Sequence, residues 1–140
     1  MTKKYKILGK YIKDMSSETA DIETHIFVGD YISRYQLTID INSKALKDKM
    51  IEISTIMKFE DKEESKRKSY FEINYSTIIK IDDEIKDKKD LEKIILCDVQ
   101  IEVYPDMEKS LLDMIHNSGY PAVKFEKKVD FEKLYNQRSN

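Results

Sequence analysis

The chain has 140 residues, enough for one domain with one core, and 27 acids against 25 bases give a formal net charge of −2. Charged residues are 37% and hydrophobic ones 40%, which fits a soluble globular class and, without a basic excess, argues against nucleic-acid binding. A single cysteine, Cys97, excludes an internal disulfide, and three glycines exclude long glycine-rich phosphate loops.

The N-terminal "MTKKYKILGKYIK" carries charges throughout and no uninterrupted apolar run, so a signal peptide is not expected and a cytoplasmic location is. The first predicted strand is "KKYKILGKYIKD", with Tyr5, Ile7 and Tyr11 in phase, Leu8 and Ile12 on the other side, and Gly9 marking a bulge or a close approach. "MSSETADIETHIFVGDYIS" follows, a link of roughly twenty residues that is too long for a hairpin and is read as a long crossover loop. "YQLTIDI", "MIEISTIMKF" and "SYFEINYSTIIKI" then alternate apolar and polar residues as half-buried antiparallel strands. The second sets Ile51, Ile53, Met57 and Phe59 inward; the third sets Phe71, Ile73, Tyr75, Ile79 and Ile81 inward. Between them "EDKEESKRK" reads as a solvated, charged tip.

After Asp82 the period turns helical, near Leu91, Ile94 and Ile95. A long helix is expected to begin at Pro105, with Asp106 and Glu108 at its positive end, and to stop at Gly119 and Pro121. A short last helix is expected after the cap Asp130. The expected class is α+β: a four-stranded antiparallel sheet with a long crossover loop after strand one, then a long helix and a short C-terminal helix packed on one face. Residues 1–140 are read as one domain.

Chemistry is scarce. His25 and His116 share no metal-ligand spacing with Cys97 or the acids, Cys97 reads as core, and no nucleophile or phosphate-loop motif occurs. We expect no enzyme, no cofactor and no metal.

"YIKDMSSE", with Tyr11, Lys13, Asp14, Ser16 and Glu18, resembles the end of strand one in the SecB family of protein-export chaperones. "FEINYSTIIKI" is similar to that family's fourth strand, and "VYPDMEKSLLDMIHNSGYPAVKFEKKVDFEKLY" follows its long helix, turn and final helix. The resemblance covers about residues 5 to 135 and implies a homotetramer, a dimer of dimers, that holds unfolded preproteins for the SecA motor. It implies a client groove at the crossover and last helix, assigned to Ile26, Phe27, Tyr31, Phe131, Leu134 and Tyr135. It implies SecA docking through Asp14, Glu18 and Glu72, and an oligomer interface on the stripe Met107, Leu111, Met114 and Ile115. The near-balanced charge, a crossover without proline and the short C-terminus favour chaperoning over SecA coupling. A chaperone dedicated to one regulatory client such as an antitoxin, or an α+β domain binding a small ligand beneath the crossover, are the alternatives.

Overall fold

The computed structural model describes residues 4–139. Period-two alternation yields four strands, β1 (Tyr5–Glu18), β2 (Gln36–Ala45), β3 (Met50–Glu60) and β4 (Tyr70–Ile81). They form one antiparallel sheet in the order β1-β4-β3-β2, so β1 and β2 are its edges. The register sets Leu37 opposite Phe59, Ile39 opposite Met57, and Phe59 opposite Phe71, which gathers the apolar sides of three strands on one face. Ile53, Met57, Ile73 and Ile79 are fully buried there. Each such side chain contributes about 1.5–3 kcal/mol of burial.

β1 departs from simple alternation. Register shifts fall between Ile7 and Gly9 and between Ile12 and Asp14, and each inserted residue flips the faces that follow. The first is the bulge that Gly9 announced, although an added Cβ there would meet nothing within 4 Å, so no close approach is involved. As a result Ile12, opposite Tyr75, joins Tyr5 and Ile7 on the core face, while Tyr11, opposite Ser76, lies on the other; the expected phase is reversed for both.

The crossover from β1 to β2 is present, but its middle is a helix, α1 (Ile22–Tyr31), continued by a 3-10 turn at Ile32–Arg34. The Asp21 carboxylate caps it by accepting from the Thr24 amide at 2.8 Å. Thr24 and Val28 are buried beneath it, one turn apart.

The long helix starts well before Pro105. Asp87 caps α2 (Lys88–Lys93) by accepting from the Lys89 amide at 3.0 Å. A π-helical turn at Ile94–Asp98 leads directly into α3 (Val99–Asn117). Burial of Ile94, Val99 and Val103 outweighs the proline's preference for a first turn. Pro105 thus sits inside α3, and neither Asp106 nor Glu108 lies at a helix start. Pro105 and Ile101, whose carbonyl the proline leaves unbonded, are both exposed, so water can take that carbonyl. The buried Gln100 steadies the π turn: it donates to the Ile95 carbonyl at 3.3 Å and accepts from Thr55 at 3.0 Å.

α3 runs beside β1, tied by Lys10 to Asp106 and by Ser17 to Ser118 at 2.6 Å. It ends as expected at Gly119, whose φ is +105°. A Cβ there would come within 2.5 Å of His25 Cε1 and force that ring to shift, and His25 packs against Tyr120 at 4.9 Å with the rings tilted. The crossover is thereby docked on the end of α3. His116 bonds the Val123 carbonyl at 2.7 Å rather than its own helix's last carbonyls. The final helix, α4 (Phe131–Ser139), is capped by Asp130 through the Lys133 amide at 3.0 Å.

Candidate functional site

A cleft of about 1210 Å³ opens between the end of the crossover, β2, the segment 119–130 and α4. Its floor is apolar. Leu37 and Ile39 come from the core face of β2, and Phe59 from β3 beside them. Val123, Phe125 and Val129 descend from the segment that follows Pro121, with the Phe125 ring 5.5 Å from that of Phe59. Tyr35 stands in the wall, its hydroxyl accepting from the Ser69 amide at 3.1 Å, and burial raises its pKa above the usual phenol value. At the far side Leu134, 47% exposed, faces the cleft from α4.

Of the six residues assigned to a client groove, only Leu134 lines this cleft. Phe131 is buried with its ring edge-on to Tyr104 at 5.4 Å, and Tyr135 reaches the Lys89 carbonyl at 3.4 Å; both anchor α4 to the helices beneath. Phe27 and Tyr31 pack on each other at 4.7 Å, Tyr31 also lies under the Arg34 guanidinium at 4.5 Å, and Ile26 is exposed outside the cleft. Leu37 and Ile39 lie in the alternation of "YQLTIDI", which marks a strand and not a ligand contact, and Val123 and Phe125 lie between the two C-terminal helices. Their signal is the short alternation after Pro121, too brief to stand out as a strand.

The stripe assigned to oligomer contacts packs largely inward. Met107, Leu111 and Ile115 recur every fourth residue and are fully buried within the chain itself; only Met114, on the flank, keeps partial exposure. Apolar surface instead remains on the edge strand, where Leu8, Tyr11, Ile12 and Met15 are exposed.

Asp14, Glu18 and Glu72 do come together. The register sets Asp14 opposite Asn74 and Ser16 opposite Glu72, so the three acids share the sheet face away from the helices. The bulge after Ile12 places Lys10 on the opposite face from Asp14, not in phase with it. Glu72 pairs with Lys58 at 3.4 Å.

The charged β3–β4 tip hides one acid that was expected in solvent. Asp61 is buried, accepting from Arg34 Nε at 2.8 Å and from the Glu63 amide at 3.1 Å. Burial alone would raise its pKa, but the Glu63 amide and Arg34 together outweigh it and hold the carboxyl below the usual range. A group depressed by folding contributes stability above its unfolded value and loses it as the pH falls through the folded one, here below about pH 4. Asp61→Asn is expected to flatten the loss of thermal stability from about pH 5 to about pH 2. An unchanged acid slope, by thermal melts across that range, would assign the loss to other carboxylates.

Cys97 is fully buried, and burial pushes its thiol up, away from reactivity. Among the described residues no group of three histidines, cysteines or acids is placed to hold a metal, and no helix is long and apolar enough to cross a membrane.

The family model described as preprotein translocase subunit SecB matches residues 1–140. A curated relative from Pelagibacter ubique (strain HTCC1062), named for protein export as SecB, is 56% identical over 140 residues, covering 100% of both chains. Among solved structures, a SecB-like chaperone of Mycobacterium tuberculosis in complex with a ChAD peptide from the HigA1 antitoxin superposes with a TM-score of 0.60. That match has 9% identity and covers 89% of this chain and 91% of the other, a likeness of fold.

Proposed function

We propose a role for the cleft on one premise: the chain belongs to the SecB family and is a protein-export chaperone. In this reading the cleft holds extended apolar stretches of unfolded preproteins in the cytoplasm and keeps them open for the translocase. The observation that carries it is the apolar floor laid along an edge strand. A client can place alternate side chains on Leu37, Ile39, Phe59 and Phe125 while its backbone groups meet those on the open side of β2. Apolar contact reads sequence loosely, so many clients fit, and the work is binding without a reaction. Sequencing the polypeptides retained from cytosol by the purified chain tests this. Many export-bound preproteins are expected; recovery of one regulatory protein alone, such as an antitoxin, would replace general export with a dedicated chaperone.

The acidic face of Asp14, Glu18 and Glu72 is proposed as the surface that meets basic groups of the SecA motor. Exposed charges of this kind speed encounter and weaken with salt.

A homotetramer is part of the same reading, assembled through β1 rather than through the α3 stripe. β1 is a fourteen-residue edge strand with Ile12 42% exposed and Met15 44% exposed on its core face. A long apolar edge left open invites uncontrolled pairing, and a second copy of β1 would cover it. Ile12→Asp with Met15→Asp is expected to give a smaller assembly by light scattering, with the monomer's fold retained. Unchanged mass would move the interface elsewhere.

A further inference from the structure

We infer that the cleft selects client segments whose apolar stretch is flanked by acidic residues, an inference that rests on the cleft being the client site. The chain as a whole carries a formal net charge of −2. Yet the cleft is lined by four lysines, Lys124, Lys127, Lys128 and Lys133, against two acids, Glu126 and Asp130. All six are exposed.

Local structure explains the arrangement. In the segment after Pro121, Val123 is buried and Lys124 exposed, Phe125 is half-buried and Glu126 exposed, and Lys127 and Lys128 are exposed before the half-buried Val129. The apolar side chains make the floor, and the lysines are left to the rim. Asp130 is already engaged as the cap of α4, accepting from the Lys133 amide at 3.0 Å. Some lysines elsewhere pair with carboxylates, such as Lys10 with Asp106, Lys49 with Asp83 at 2.7 Å and Lys58 with Glu72 at 3.4 Å. Others among the described residues do not, so the cleft is set apart by its four lysines against two acids. Among the described residues, none of the four cleft lysines forms an ion pair.

A client lying on the floor therefore has its flanks beside unpaired ammonium groups. Acidic flanks are attracted, and basic flanks are rejected by like charge. At an exposed rim each pair changes affinity by up to about fivefold, so two to four charges discriminate measurably without replacing the apolar contact.

Three fluorescent peptides with one shared apolar centre and flanks of glutamate, glutamine or lysine test this, by anisotropy with the full chain. The glutamate-flanked peptide is expected to bind at least about threefold more tightly than the glutamine one, the lysine-flanked peptide more weakly, with the spread shrinking as salt rises. Changing Lys124, Lys127, Lys128 and Lys133 together to Gln should level the series. Equal binding of all three, or tightest binding of the lysine peptide, overturns the selectivity and leaves the cleft as client site. Absence of binding by any of them overturns both.

Discussion

Leu111→Ala is expected to lower the free energy of unfolding by about 3 kcal/mol, because it empties a fully buried position where α3 meets the sheet. Leu111 is flanked on its stripe by Met107 and Ile115, both fully buried, so little solvent or flexible surface is available to relax the cavity. The loss should be the same at low and high protein concentration in urea titrations, with an unchanged slope. A loss confined to low concentration would return the stripe to a subunit interface. Leu111→Asp, which buries an unpaired carboxylate at the same place, should prevent folding rather than split an assembly.

Client capture should fall by at least about tenfold in the double variant Ile39→Ser with Leu134→Ser. Ile39 lines the cleft from β2 and Leu134 from α4, and apolar contact of this size is worth about 1 kcal/mol or more per side chain. Leu134 is 47% exposed and Ile39 half-buried on an edge strand, so the chain should remain folded. The measurement is binding of an unfolded preprotein beside a thermal melt. Ile26→Ser, an equally apolar change at an exposed residue outside the cleft, should leave capture intact.

The sheet was legible because β2, β3 and β4 each keep one wet and one buried side, and alternation records that directly. β1 was legible as a strand but not in its phase. Gly9 signalled the first bulge, whereas the second, after Ile12, has no glycine to mark it. The crossover helix was hidden because its apolar residues do not form one stripe: Val28 faces inward while Ile22 and Ile26 face solvent. The start of the long helix was misplaced because a strong local signal, Pro105, competed with a burial pattern that the π turn shifts in phase. In α4 the aromatics Phe131 and Tyr135 lie one turn apart and share the anchoring face, which leaves Leu134 to the cleft. Phe131 and Tyr135 pack on the helices beneath them and do not line the cleft. The acidic trio was legible through the family resemblance, since two bulges in β1 reset the alternation that sets Asp14 and Glu18 on the face of Glu72.

That the cleft, and not the exposed crossover, receives the client is tested most directly by photocrosslinking. A photoreactive residue is placed at Leu134, within the cleft, or at Ile22, which is 65% exposed on α1 and outside it. Each chain is irradiated with an unfolded preprotein. The Leu134 site should crosslink strongly, and competition by an apolar peptide should suppress it, while the Ile22 site should give background only. Strong crosslinking from Ile22 with little from Leu134 would contradict the account.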